Sequence, residues 1–158
     1  MIIKLAGVSD LVQILEVLNK VTIALQNKNI NQWSYPWDSE YISNEISEEK
    51  SYKLMHNESV IGTFFIETID KIGEYIIEPE SLYLSKIAIL PEYQGSNIGS
   101  KITDFACTNA QKLNKVLYID CWAGNIKLKE FYSKNGFQYI GDFSEEDYLI
   151  SIFRSSKK

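Results

Sequence analysis

Histidine, cysteine and proline are scarce in this chain, and the first two scarcities each remove a class of chemistry. His56 is the single histidine and has no companion at ligand spacing, so no metal centre is expected. Cys107 and Cys121 are the two cysteines, and their spacing suggests neither a zinc site nor a disulfide framework. A nucleophilic Cys121 stands beside the plainer expectation that both thiols are buried filler, one in a helix and one in a strand. Long apolar runs are missing and the N-terminus carries no signal-peptide pattern, so a cytoplasmic protein without a membrane span is expected. An excess of positive charge is missing too. Sixteen Lys and Arg face 21 Asp and Glu, a net charge of −5. That balance argues against nonspecific nucleic-acid binding and leans toward cationic small-molecule or peptide partners.

What is present is an ordinary globular composition, 45% hydrophobic and 23% charged over 158 residues. The length fits one domain, expected over residues 1–154 with a polar tail at 155–158. Residues 1–5 form a short apolar strand candidate. Ser9 or Asp10 can cap the next helix, whose stripe is Leu11, Ile14, Leu15, Leu18, Val21 and Leu25. The Asn-rich run 26–32 ends it. Trp33, Tyr35 and Trp37 then crowd one loop, in which Pro36 holds Tyr35 extended. Asp38 or Ser39 opens a second helix with Tyr41, Ile42 and Ile46 inward. Strands at 52–56 and 60–67 flank a hairpin loop at 57–59. Residues 68–81, with Gly73 and Pro79, read as a loop with some strand character at 75–77.

The organising stretch follows. An apolar strand over residues 82–90 runs into a polar turn, and a helix with Ile98, Ile102, Phe105, Ala106 and Leu113 on one stripe begins at once. The first-turn N–H groups of a helix lack intrahelical partners and carry the positive end of its dipole, so this junction suits a phosphate. A P-loop does not fit. Gly95 and Gly99 stand one residue too close, and Lys101 is followed by Ile102 rather than a hydroxyl. The dinucleotide fingerprint G-x-G-x-x-G is absent. A strand over 116–122, a helix capped by Asn125 with Leu128, Phe131 and Tyr132 inward, and Gly136 as its left-handed stop come next. Strands at 137–140 and 148–153 close the chain. The order β-α-α-β-β-β-α-β-α-β-β is α+β with a mixed, mostly antiparallel sheet, and the short crossover implies one parallel pair.

Gln94-Gly95-Ser96-Asn97-Ile98-Gly99, behind Lys86-Ile87-Ala88-Ile89-Leu90-Pro91-Glu92-Tyr93, resembles the Gln-x-x-Gly-x-Gly pyrophosphate loop of the GNAT superfamily of N-acetyltransferases. Asn97 stands where that family usually has glycine, and asparagine tolerates positive φ best among the other residues. A second stretch, Asn125 with Tyr132 seven residues on and then Gly136-Phe137, is similar to the family's N-x-x-A-x-x-x-Y-x-x-x-G-F run, with Leu128 where alanine is frequent. The element order agrees, so the resemblance covers nearly the whole chain.

The resemblance implies the acyl-CoA N-acyltransferase fold, with its central parallel pair splayed and helices on both sides, and direct acetyl transfer from acetyl-CoA to an amine. Ile87, Ala88 and Ile89 would pair with the pantetheine arm as an added strand does. Gln94, Gly95, Ser96, Asn97, Ile98, Gly99 and Ser100 would hold the pyrophosphate, and a main-chain N–H near Ile89 would polarise the thioester carbonyl. Asn125 would bond the pantetheine or simply cap its helix. Tyr132 would touch the cofactor and protonate the leaving thiolate. For the base that neutralises the amine, Asp120 comes first, Glu80 second and Glu78 third, each against the alternative of a solvated carboxylate. Trp33, Tyr35 and Trp37 would wall the acceptor pocket or anchor the N-terminal helices, and Tyr83 and Ser85 would reach the same pocket. The acceptor would be an amine-bearing small molecule or peptide, and the protein a monomer or homodimer. A non-catalytic acyl-CoA sensor and an interaction domain are the rival outcomes on this fold.

Overall fold

The computed structural model describes residues 1–95 and 97–155. Seven strands, β1 (Ile2–Leu5), β2 (Ser51–His56), β3 (Ser59–Ile72), β4 (Tyr75–Ile89), β5 (Leu117–Trp122), β6 (Phe137–Glu145) and β7 (Tyr148–Ser155), form one sheet in the order β1-β2-β3-β4-β5-β7-β6. The helices are α1 (Leu11–Asn27), α2 (Ser39–Ser47), α3 (Ile98–Leu113) and α4 (Ile126–Lys134). β4 and β5 pair in parallel, while β1–β2, β2–β3, β5–β7 and β6–β7 are antiparallel. This is the mixed α+β order expected from the sequence. No helix among the described residues is long and apolar enough to cross a membrane.

The chain packs as two compact units. The first comprises Met1–Ile66 and Lys86–Gly99. Its core gathers Ile14, Val17, Leu18 and Val21 of α1, Ile42 and Ile46 of α2, and Val60, Phe65 and Ala88 of the strands. The α1 stripe therefore faces inward as its spacing requires. Asp38 caps α2, its side chain accepting from Glu40 N. Asp10 stands just before α1, but its carboxylate turns back to accept from Gly7 N at 2.9 Å and does not cap the helix. Tyr41 is 40% exposed and leaves the inner face of α2, where Glu45 is buried instead. The β2–β3 hairpin turns at Asn57 and Glu58, both at positive φ (51° and 69°), the backbone of a two-residue primed turn.

The second unit comprises Glu67–Ser85 and the chain from Ser100 onward. Ile72, Ile77, Tyr118, Ile150 and Ile152 form a core within it. The expected loop at 68–81 is wrong. β3 and β4 form a long hairpin turning at Gly73, which has φ 57°. Pro79 is accommodated at an irregularity, where Glu80 has φ 62° and Ser81 Oγ donates to Glu78 O at 2.6 Å. A proline and a local turn inside a strand hide its alternation. β6 and β7 likewise run beyond the expected ends. Ser155, assigned to a frayed tail, is the last residue of β7 and buried; its Oγ accepts from Leu117 N. The rest of the tail lies outside the described residues. Leu113 is 58% exposed, so the α3 stripe ends on Ala110 instead. Asn125 caps α4 by accepting from Leu128 N, and Gly136 at φ 89° follows it as expected.

Candidate active site

In the first unit, β4 ends at Ile89 and a 3₁₀ turn over Pro91–Tyr93 leads to the loop before α3. Tyr93 N donates to Leu90 O and Gln94 N to Pro91 O, so the strand exit is locked by its own backbone. Gln94 Nε2 reaches back to Ile89 O at 2.8 Å, and the glutamine therefore braces the loop from its side chain. Gly95 at φ 87° and Asn97 at φ 64° are both left-handed and exposed. A Cβ at Gly95 would meet nothing within 4 Å, so open space lies above it. The first turn of α3, with Ile98, Gly99 and Ser100, carries no acidic residue. An exposed turn of left-handed residues feeding a helix start free of negative charge fits a phosphate group. Ser96 lies outside the described residues. Ser100 Oγ donates to Asn135 Oδ1 at 3.0 Å within the second unit.

Upstream of the loop, Ala88 is buried, and its carbonyl lies 3.1 Å from where a Gly62 Cβ would stand. Glycine at 62 lets β3 approach β4 closely there. Ile87 and Ile89 are half-buried. Lys86, at φ 51°, kinks the strand just before them. Its ammonium faces the Phe65 ring at 4.9 Å and the Tyr41 ring at 5.4 Å, with Glu45 at 3.8 Å. Nothing in the sequence singled out this cation cage, because Glu45 lies 41 residues away on α2.

Trp33 and Trp37 make an edge-on pair at 5.4 Å. Trp37 N donates to Asn19 Oδ1 at 2.9 Å, and its Nε1 donates to Thr22 Oγ1 at 2.8 Å. Both rings pack against the core of the unit, so they tie the loop to α1. Tyr35 is 51% exposed.

The second unit gathers a tyrosine–carboxylate cluster. Leu82, Tyr83 and Leu84 stand opposite Leu117, Tyr118 and Ile119. Asp120 follows Ile119 on β5. Tyr83 leans one step forward, and its hydroxyl donates to Asp120 Oδ1 at 2.7 Å. Burial, then the charge and hydrogen bond of Asp120, then Glu145 and Tyr132 push the Tyr83 phenol well above its ordinary range. Tyr132, on α4, is 3% exposed and packs edge-on against Phe137 and Phe153. Burial first, with Cys121 and Asp120 behind it, pushes its phenol far up as well. Burial and Asp120 likewise raise the Cys121 thiol to about 12, so this cysteine is inert as a nucleophile.

Glu80 and Glu78 occupy other ground. Glu80 lies before the paired stretch of β4 and β5, at the irregularity beside Pro79. It is exposed. Glu78 accepts from the Tyr118 hydroxyl and pairs with Arg154 at 2.6 Å; the Tyr118 bond, then Arg154, hold its carboxyl below the usual range against the pull of burial. Glu145, at the end of β6 beside Gly73, is the carboxylate that the sequence reading missed. Burial, then Glu146, pushes it above the usual range. Its signal was an acidic run between two strands, which reads equally well as a solvated turn. Among the described residues, no group of three His, Cys, Asp or Glu could hold a metal ion.

A family model described as acetyltransferase (GNAT) domain matches residues 48–139, more than half of the chain. The chain belongs to the GNAT acetyltransferase family. Its fold is similar to that of a GNAT-family acetyltransferase from Streptococcus agalactiae, at TM-score 0.82 and 15% identity over 99% of this chain and 95% of that one. It is similar to the PaiA N-acetyltransferase from Thermoplasma acidophilum in complex with coenzyme A, at TM-score 0.72 and 18% identity over 96% of each chain. It is also similar to yncA from Salmonella typhimurium with its cofactor acetyl-CoA, at TM-score 0.73 and 14% identity over 97% and 91%. At such identities the likeness is one of fold. No protein of curated function matches the chain at a significant level.

Proposed function

We propose that the protein is an acetyl-CoA-dependent N-acetyltransferase that passes the acetyl group directly to a primary amine of a small molecule or peptide. The observation that supports this reading is the 2.7 Å hydrogen bond from Tyr83 to Asp120, in the same unit as the buried phenol of Tyr132. The relatives solved with coenzyme A and acetyl-CoA support the choice of co-substrate.

Acetyl-CoA would supply the acetyl group as a thioester. Gln94, Gly95, Asn97, Ile98, Gly99 and Ser100 would hold its pyrophosphate with main-chain N–H groups at the start of α3, and the backbone of Ile87, Ala88 and Ile89 would bind its pantetheine arm. An amine attacks only when neutral, so Asp120 accepts its proton, directly or through water. Asp120 is favoured over Glu80 because Tyr83 holds it by a 2.7 Å hydrogen bond in the unit that also buries Tyr132, whereas Glu80 is exposed. Tyr132 stays protonated at neutral pH, since burial disfavours the phenolate; it donates that proton to the departing thiolate as the proton taken up by Asp120 returns to it, directly or through water, so that both groups are reset. Cys121 takes no part, which favours direct transfer over an acyl-enzyme.

The test is thiol release from acetyl-CoA across amines, polyamines, aminoglycosides and peptides, with the product identified by mass. Turnover on an amine is expected. Tight coenzyme A binding with no turnover on any acceptor would favour a sensor, and absence of binding an interaction domain. Tyr132→Phe should lower kcat by about 100-fold while leaving coenzyme A affinity nearly unchanged. An unchanged rate removes Tyr132 from its role.

A further inference from the structure

The charge of Asp120 favours the protonated form of the phenols and the thiol near it. These are Tyr132 of α4, Tyr83 of β4, Tyr148 of β7 and Cys121 beside it on β5. Glu145 of β6 acts on the same Tyr83 phenol, and Glu145, Glu146 and Asp147 act on Tyr148 together with Asp120. The Tyr83 hydroxyl holds the Asp120 carboxylate directly. It has one proton to give and two carboxylates in reach electrostatically, and the geometry commits it to Asp120 Oδ1 at 2.7 Å.

We propose that Tyr83 is a positioning residue for acetyl transfer, its hydroxyl tethering Asp120 Oδ1 and so fixing the orientation of the carboxylate that takes the acceptor's proton. This rests on the reading of Asp120 as the base. The amine proton then passes to the Asp120 carboxylate while the Tyr83 proton stays on its own oxygen. Tyr83 touches the base and not the reacting atoms. The register explains the arrangement: Tyr83 stands opposite Tyr118, two residues before Asp120 on β5, and its long side chain reaches forward to the carboxylate.

The test is the pH dependence of kcat/KM in Tyr83→Phe, which keeps the ring and removes the donor. A carboxylate that loses an accepted hydrogen bond is harder to ionise, so the acid limb should move up by about one pH unit. The KM for acetyl-CoA should stay unchanged. Replacing Tyr83 by 3-fluorotyrosine, a stronger donor of the same shape, should move the limb the other way. In an Asp120→Asn background Tyr83→Phe should add little further loss. A limb that stays in place in both Tyr83 variants, with Asp120→Asn still abolishing it, overturns the positioning role alone. A limb that persists in Asp120→Asn overturns the assignment of the base as well.

Discussion

Gly95→Ala isolates the backbone requirement of the phosphate loop. Gly95 has φ 87°, and a Cβ placed there meets nothing within 4 Å. Crowding against the protein therefore contributes nothing, and the cost is that of left-handed backbone for an L-residue, about 1–2 kcal/mol. That cost must appear in one of two places. If the loop keeps its shape without nucleotide, the fold bears it, and Tm falls by about 2–8 °C for a chain of this size. If the loop relaxes when free, the strain returns on binding, and the Kd for coenzyme A rises about 5- to 30-fold. Calorimetric titration with coenzyme A and thermal unfolding of the same sample measure both, and the two losses should sum to one value. Gly95→Asn is the control, since asparagine tolerates this backbone and Asn97 already adopts it at φ 64°. An alanine variant with unchanged Kd and unchanged Tm would refute the reasoning. An asparagine variant as impaired as alanine would show that space for the ligand, and not backbone strain, is what glycine supplies.

Asp10→Asn should cost about 2 kcal/mol at pH 7, because Asp10 accepts from Gly7 N and pairs with Lys53 at 3.0 Å in a mostly buried position. Burial raises its carboxyl, but the Gly7 amide and Lys53 outweigh burial and hold it below 3.8. Its contribution is therefore present above that value and lost as pH falls through the folded pKa, so the Tm gap between variant and parent should close in acid. A gap independent of pH would assign the loss to packing. Glu145→Gln should act with the opposite sign. Burial and Glu146 hold this carboxyl above 4.5 in the fold, so its ionised form opposes folding once pH rises past that value. The variant should melt higher than the parent at pH 7 and level with it near pH 4. A lower Tm at pH 7 would mean that the carboxylate has a stabilising partner. Trp37→Phe removes the bond to Thr22 Oγ1 and should lower stability by about 1–2 kcal/mol with the acceptor KM unchanged. A raised KM at constant Tm would make Trp37 a wall of the acceptor pocket instead.

The parts of the fold that were legible share a local cause. The strand, turn and α3 stand in consecutive residues, as do Asn125 and Gly136 at the two ends of α4. Their chemistry is set by neighbours one turn away. The long β3–β4 hairpin was not legible, because Gly73 and Pro79 are both turn signals and only one of them turns the chain. Pro79 sits within β4 beside a residue at positive φ, a local irregularity that the strand absorbs. Tyr41 and Glu45 exchange their expected places on α2 for a reason outside the helix. Lys86 brings a cation to that face, and the carboxylate follows it inward while the ring takes the exposed side of the cage.

The candidate site shows the same division more sharply. Asp120, Glu80 and Glu78 are alike in sequence, each an acidic residue near a strand of the central pair, and composition ranks none above another. Strand register separates them. The pairing of Leu82 with Leu117 sets Asp120 one step past Ile119, within reach of Tyr83, while Glu80 lies before the paired stretch and is exposed. Glu78 falls beside Tyr118 and Arg154, which occupy both of its oxygens. A shift of one residue in that register would turn Asp120 to the opposite face of the sheet and bring Cys121 to the Tyr83 hydroxyl. Burial has already driven that thiol up to about 12, where it could neither anchor a phenol nor take a proton from an amine. The base in this reading is thus fixed by a hydrophobic match two strands wide, and the residues that set it, Leu82, Leu84, Leu117 and Ile119, carry no chemistry of their own.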